Sequence, residues 1–571
     1  MGSVFFIVLR CMRAPLITLI VIYALSVLGL VLIPGVDAGG KPAPPMSFFH
    51  AFYFVSYTAS TIGFGEIPAA FSDPQRMWAT ATIYLSVIGW TYSILTILAL
   101  FSDRGFQQAL AASRFRRRVA RIAEPFYLIC GCGETGGLLI HALDRIDRRC
   151  VVVESDEARI AELELEDFRT DAPALVADAS QPQTLLLAGL RHPWCRGVLA
   201  LTNQDAANLA IAAAARLLNP GMPLLCRAER LDTVERMSGF GADYIFNPFE
   251  VFGRLLAQAV HGPARYRLHR WLTGTPGTRM STGDDPPPGR WIVCGYGRFG
   301  RSVVSWLARE GMELTLIDPD VKAAPGFRVV AGSGIEDAVL REAGVAEAVG
   351  FVAGTDDDIN NLSIATAARR LNPALFMVVR QNQQARRELF EAYAPDLSVV
   401  PSEIVGHACL ALLTTPLLPV FLRLMESQDD EWARSLLARM RLELGEDVPE
   451  SWSVRLDAAQ AAAVDAWLER RAPLPLAALL ADPAARELRL ACVPLLLRRD
   501  SCDQLVPTDS DDLRAGDEIL FAGTHEARVR QQLILQNANA LAYVLTGREA
   551  QSGWLWGWLL GRLARRPAGA A

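Results

Sequence analysis

Thr61-Ile62-Gly63-Phe64-Gly65-Glu66 lies between two long apolar runs in a chain of 571 residues. A membrane protein tolerates non-helical backbone at depth only where that backbone lines a cavity or is buried in protein. Glycines at alternate positions let consecutive carbonyls point the same way, which side chains there would hinder. Four such strands around one axis would stack rings of carbonyl oxygens able to replace a cation's hydration shell. Gly-x-Gly alone is common in turns, so the weight of the reading rests on its place between two spans.

Working outward, Ala14 to Val36 is uncharged, and Met77 to Ser102 is a second uncharged run. Roughly 20 helical residues cross a hydrocarbon core, so each run is long enough to span. The aromatic-rich stretch Met46 to Ser60 runs straight into the glycines and reads as a re-entrant pore helix. Arg10 and Arg13 precede the first span, while Arg104, Arg114, Arg116, Arg117, Arg118 and Arg121 follow the second. The intervening loop has only Lys41 and Arg76, which puts both chain ends in the cytoplasm. No small-residue cleavage site follows the first run, so it is expected to stay in the membrane. Two spans cannot enclose a pore, and a symmetric oligomer, most simply a homotetramer, is required. Gly89, in mid-span, reads equally as a gating hinge or as a close packing contact. The arginine run after the second span reads as a topology signal or as a contact for anionic membrane lipid.

The opening stretch resembles the potassium-channel signature Thr-Val-Gly-Tyr-Gly-Asp, with Ile for Val, Phe for Tyr and Glu for Asp. That resemblance implies K+ held by backbone carbonyls of Thr61, Ile62, Gly63 and Phe64, with Gly65 completing the filter. Phe64 lacks the hydroxyl with which tyrosine braces such a filter, and a less selective cation channel is the alternative.

A net charge of −6 without a basic face, apart from the juxtamembrane run, excludes nucleic acid as a partner. The 10 cysteines lack the paired spacings of a disulfide scaffold or a zinc site. Apolar residues make up 51% of the chain, which suits a protein that is part membrane and part soluble. The length calls for three or more domains.

Phe126-Tyr127-Leu128-Ile129-Cys130 reads as a buried strand entering Gly131-Cys132-Gly133-Glu134-Thr135-Gly136. A second strand, Cys150 to Val153, ends on Glu154. This order is the dinucleotide fingerprint: glycines for a tight turn and close phosphate approach, then an acid for a ribose hydroxyl. It recurs. Trp291 to Cys294 leads into Gly295-Tyr296-Gly297-Arg298-Phe299-Gly300, and Leu314 to Ile317 ends on Asp318. Thr202 and Asn208 answer Thr355 and Asn361, Arg227 answers Arg380, and Gly253 answers Gly406 at one constant separation, the mark of a duplication.

Both copies resemble the regulator-of-potassium-conductance (RCK) domain, also called the TrkA N-terminal domain. The resemblance implies an adenine-nucleotide pocket at Gly131, Gly133, Gly136, Glu154, Asp178 and Thr202, and a second at Gly295, Gly297, Arg298, Gly300, Asp318 and Thr355. It implies NAD or another adenine nucleotide as effector. The second copy departs from the family with Gly332-Ser333 in place of Asp-Ala. The first has Glu134 where Arg298 stands in the second, which points to a less charged ligand or to a bridging cation. No His or Lys constellation accompanies the motifs, so the nucleotide is read as an effector and the chain as no enzyme.

Val506 to Phe521 resembles the TrkA C-terminal subdomain. Asp500, Asp503, Asp509, Asp511 and Asp512, and separately Asp356, Asp357 and Asp358, are candidates for Ca2+ or, with better claim, solvated turns. The tail around Trp554, Trp556 and Trp558 with Arg562, Arg565 and Arg566 suits an interfacial amphipathic helix or docking on a neighbouring subunit.

The expected fold is an α-helical two-span pore domain, two α/β Rossmann-like domains and a small α+β C-terminal subdomain. The expected boundaries are 1–103 (pore), 104–123 (linker), 124–262 (first RCK), 263–288 (linker), 289–432 (second RCK), 433–548 (C-terminal lobe) and 549–571 (tail). Within the pore domain the spans are 14–36 and 76–102, the pore helix 46–60 and the filter 61–65. The pieces read together as a ligand-gated potassium channel of the cell inner membrane. A non-conducting membrane nucleotide sensor, or a transporter's regulatory subunit, is the alternative of another class.

Overall fold

A computed structural model describes residues 2–36, 41–66, 70–274, 276–279, 285–470, 472–500 and 502–548. The Trp-rich tail at 549–571 and part of the expected linker, 280–284, lie outside the described residues. The chain divides into two compact units, Met1–Ala123 and Glu124–Ala571.

In the first unit two long helices, Gly2–Leu32 (here the outer helix) and Asp73–Ser102 (the inner helix), flank a short helix, Phe48–Ala59, at the place expected for the pore helix. Met12–Leu32 and Asp73–Ser102 are long and apolar enough to cross a membrane. The outer helix stops short of the expected Val36 because Pro34 and Gly35 follow, and Gly35–Val36 pairs antiparallel with Pro42–Ala43 instead. Ser72 begins the inner helix with a capping box: its hydroxyl accepts from Gln75 N, and Gln75 Oε1 accepts from Ser72 N. The same two side chains donate to Pro34 O and Ile33 O at 2.8 and 2.9 Å, fastening the end of the outer helix to the start of the inner one. A fourth helix, Arg104–Ala120, starts on Asp103, whose carboxylate accepts from Phe106 N.

The second unit contains two six-stranded parallel sheets. In the first, spatial order runs Ala174–Val176, Arg149–Glu154, Phe126–Cys130, Cys195–Ala200, Leu224–Arg227, Tyr244–Phe246. The second repeats that order with Arg328–Val330, Glu313–Ile317, Arg290–Cys294, Gly350–Ala353, Phe376–Arg380 and Leu397–Val399. Their central strands are mostly apolar because helices cover both faces. The order reverses beside Phe126–Cys130 and beside Arg290–Cys294, so the glycine turns sit at the switch points where such sheets bind ligands.

The copies exchange helices. Pro248–His261 follows the last strand of the first sheet, yet its Phe249, Phe252 and Leu256 join the core of the second copy with Trp291, Phe299 and Val303. Reciprocally, Val405 and Cys409 of Pro401–Thr414 pack with Ile129, Leu139 and Ile140 of the first.

The expected linker differs from the reading in its first third, where Pro263–Thr273 is a helix. Its proline sits in the first turn, and Leu268, Trp271 and Leu272 pack with Phe421, Leu436 and Leu495. Glycines and prolines farther on mask a helical pattern that tertiary burial selects. A four-stranded antiparallel sheet, ordered Glu450–Arg455, Glu518–Gly523, Cys492–Arg499, Cys502–Leu505, forms the C-terminal α+β lobe.

Candidate functional sites

The pore helix delivers the chain to Thr61, and both Ile62 N and Gly63 N donate to Tyr57 O, at 3.0 and 3.3 Å. Thr61, Gly63 and Gly65 have φ of 63°, 63° and 72°, with Ile62 and Phe64 outside the left-handed region. This alternation is the backbone habit that the glycines allow and that Thr61 adopts at a steric cost. Two tyrosines that the sequence reading left aside hold the far end. Tyr57 Oη donates to Glu66 O at 2.9 Å, and Tyr53 Oη donates to Glu66 Oε2 at 3.3 Å. Their spacing of one helical turn was the available signal. Ile62 and Phe64 are 60% and 67% exposed in a single chain.

Gly89 lies in an unbroken stretch of the inner helix. A Cβ there would come 2.5 Å from Ile22 Cδ1 and 3.5 Å from Leu19 Cδ2 of the outer helix. In this conformation Gly89 is a packing contact.

In the first α/β copy, Gly131 has φ 101°, and a Cβ on it would stand 2.8 Å from Thr202 N. A Cβ on Gly136 would collide with the Gly131 carbonyl oxygen. Gly133 begins the loop helix Glu134–Arg145 with no side-chain cap, which leaves its first amides open to an anion. Glu154, 8% exposed, closes the turn: Oε2 accepts from Cys132 N at 2.6 Å, and Oε1 accepts from Ser155 N and Asp156 N. Thr202 is oriented by Asn208, whose Oδ1 accepts from its amide and hydroxyl and whose Nδ2 donates to Arg227 O. Asp178 accepts from Ser180 N at 2.8 Å; its contacts with Ser180, hydroxyl and amide, hold its carboxyl below the usual range. Burial, with the Glu154 charge second, pushes the Cys132 thiol up to about 11.

The second copy repeats the device. Gly295 has φ 94°, a Cβ on Gly300 would collide with Gly295 O, and Gly297 opens the loop helix Arg298–Arg309 uncapped. Asp318 accepts from Tyr296 N at 2.7 Å and from Asp320 N at 2.9 Å. Thr355 is held by Asn361 as Thr202 is by Asn208. Gly332 and Ser333 supply no carboxylate to answer Asp178.

Arg298 turns toward the first copy, where its Nη1 lies 2.6 Å from Glu229 Oε2. Glu229 Oε1 pairs with Arg227 Nη2 at 2.6 Å, and Arg227 Nη1 donates to Asn203 Oδ1 and Thr135 Oγ1. Arg380, the counterpart of Arg227, donates to Asp356 at 2.8 Å and lies over the rings of Phe249 and Phe299. Burial pushes its guanidinium down. The chain's two loop helices thus meet at one ionic cluster.

Three of the candidate calcium carboxylates are engaged elsewhere: Asp509 pairs with Arg489, Asp503 with Arg498, and Asp511 accepts from Thr508 N. Among the described residues no three His, Cys, Asp or Glu side chains are grouped to hold a metal. A recess of about 680 Å³ is lined by Arg455, Arg498, Arg499 and Arg514 of the C-terminal lobe with Asp517 and Glu518. Asp517 neutralises Arg499 there.

These features define a class: a two-helix membrane module with a carbonyl-rich loop, followed by two α/β domains with dinucleotide-type turns. Residues 15–103 match the Ion channel family, and residues 127–248 and 291–401 match the TrkA-N domain. Potassium channel protein 1 of Methanocaldococcus jannaschii is 26% identical over 217 residues, covering 38% of this chain and 63% of the relative. Probable potassium channel protein 2 of the same organism is 24% identical over 245 residues, covering 42% and 65%. The chain thus spans less than two thirds of the length of these relatives. A solved structure described as the GsuK channel bound to NAD is 18% identical with a TM-score of 0.44, covering 92% of this chain and 98% of that one. The chain thus carries a stretch that matches an ion channel domain, followed by two that match TrkA-N domains, and is similar to the archaeal potassium channel proteins.

Proposed function

We propose that four copies of this chain form a potassium channel of the cell inner membrane, gated by an adenine nucleotide bound to the cytoplasmic TrkA-N copies. The observation that carries this reading is the Thr61–Gly65 segment, left-handed at alternate residues and fastened to its pore helix through Tyr57 and Tyr53. K+ is the transported ion, held by carbonyls of Thr61, Ile62, Gly63 and Phe64. The exposed Ile62 and Phe64 side chains favour burial against neighbouring copies. The flanking arginines favour cytoplasmic chain ends.

NAD or a related nucleotide would lie across the uncapped loop helices, with Glu154 or Asp318 turning from the glycine loop to a ribose hydroxyl. That exchange gives the ligand leverage, because the acid must release backbone amides that it now holds. Coupling of about 1 to 3 kcal/mol per site is typical of allostery. Several sites together would supply the ~5.5 kcal/mol that moves a gate from mostly closed to mostly open. Gly89 would serve as the hinge once Ile22 withdraws.

The test is K+ flux from liposomes containing the purified chain, with and without NAD, ADP or ATP. Nucleotide-dependent flux that Glu154→Ala and Asp318→Ala together abolish is the expected result. A chain that binds nucleotide but carries no ion would instead be the membrane sensor.

A further inference from the structure

The two glycine turns obtain positive charge differently. After the second loop glycine the second copy has Arg298, whereas the first has Glu134. Beside an uncapped helix N-terminus, a carboxylate at that place opposes a phosphate. The first copy holds another cation over the loop. Arg159 belongs to the helix Glu157–Glu164, which follows directly from the strand that ends on Glu154. A Cβ on Gly133 would stand 2.6 Å from Arg159 Nη1 and 3.8 Å from Asn203 Nδ2. At the corresponding Gly297 none of the described residues comes within 4 Å. The guanidinium therefore covers the glycine at which a dinucleotide turn brings its backbone closest to a pyrophosphate. Arg159 pairs with Asp156 only at 3.6 Å through Nε, with the two side chains 39% and 53% exposed. So loose a pair yields readily to a doubly charged phosphate, which a planar guanidinium binds in bidentate fashion.

We propose that Arg159 is the phosphate-binding cation of the first pocket and sets that pocket's preference for phosphorylated over unphosphorylated adenine ligands. The proposal rests on the nucleotide reading above. Arg159 offsets Glu134 and anchors the phosphate beside Gly133, from the ribose side of the loop. The second pocket would draw its arginine, Arg298, from the loop helix itself, in exchange for its present pairing with Glu229 of the first copy. The two pockets therefore grip a nucleotide from different sides, and loss of Arg159 affects only the first.

Titration calorimetry on the full chain in detergent tests this, with ADP and adenosine as probes and Asp318→Ala silencing the second pocket. In that background R159A is expected to weaken ADP roughly tenfold or more, with adenosine unchanged. R159K keeps a charge and should recover part of the affinity. R159A combined with E134R should also recover ADP, because the cation is then restored from the loop helix. Unchanged ADP affinity in R159A, or equal loss of ADP and adenosine, would overturn the proposal. If ADP binding is then still lost in Glu154→Ala, the nucleotide reading stands and only the role of Arg159 falls. If the parent chain binds no ADP at all, both fall.

Discussion

Tyr57 is the residue on which the proposed filter would most depend, because one hydroxyl fixes the Glu66 carbonyl just beyond Gly65. Tyr57→Phe removes that bond, worth about 1 kcal/mol, and changes nothing else in the ring's packing. The expected result is a channel that still conducts but admits more Na+, read as a shift in reversal potential; unaltered selectivity would show that the brace is idle. Cys132 offers a second reading at this scale. Its thiol is pushed up to about 11, chiefly by burial, so it stays protonated through neutral pH. Alkylation of the folded protein should be slow at pH 8 and accelerate only as pH rises toward that value, because the thiolate is the reactive form. Removing the neighbouring charge with Glu154→Gln should move the onset to lower pH, as followed by mass spectrometry. Much of this site was legible in sequence. The strand, glycine turn and acid are local and sequential, and each fell where the pattern placed it. The Tyr57–Glu66 bond was not legible, because it depends on how the chain folds back after the pore helix.

At the scale of elements, the exchange of Pro248–His261 and Pro401–Thr414 between copies is the feature that no local pattern announces. The partner that each helix covers is decided by the chain path. What the sequence did show was the pair Gly253 and Gly406. A Cβ on Gly253 would come 2.9 Å from Trp306 Cδ1 and 3.1 Å from Ser302 O, so this glycine permits the close approach of the exchanged helix to the loop helix. Gly253→Val should destabilise the regulatory part by about 1 to 3 kcal/mol through overpacking, measurable as a lowered Tm. The helix Pro263–Thr273 carries a pH dependence. Burial pushes His269 down from 6.5 to about 4, with Arg254 adding to the shift, and its Nδ1 is buried without a partner. The unfolded chain therefore takes up a proton before the folded one does. Stability is full above pH 6.5 and falls as pH drops from there toward 4. His269→Gln should flatten that part of the profile, and a profile unchanged by the substitution would refute the assignment.

For the whole molecule, the proposed channel would combine a pore that one chain cannot close with a pair of candidate nucleotide pockets that one chain does contain. The tandem copies share a cluster in which Glu229 holds both Arg227 and Arg298. Each chain therefore brings two candidate pockets whose loop helices are linked through that cluster, and a tetramer would bring eight. The mass of the detergent-solubilised protein should be that of four chains, and a monomer or dimer would leave the filter without its ring. The most direct measurement is the reversal potential of the reconstituted protein with K+ on one side of the bilayer and Na+ on the other. A filter built from Thr61 to Gly65 and braced by Tyr57 predicts a potential set by the K+ gradient, displaced toward zero in Tyr57→Phe. A potential near zero in the unmodified protein would mean that K+ and Na+ pass alike, and would contradict potassium selectivity.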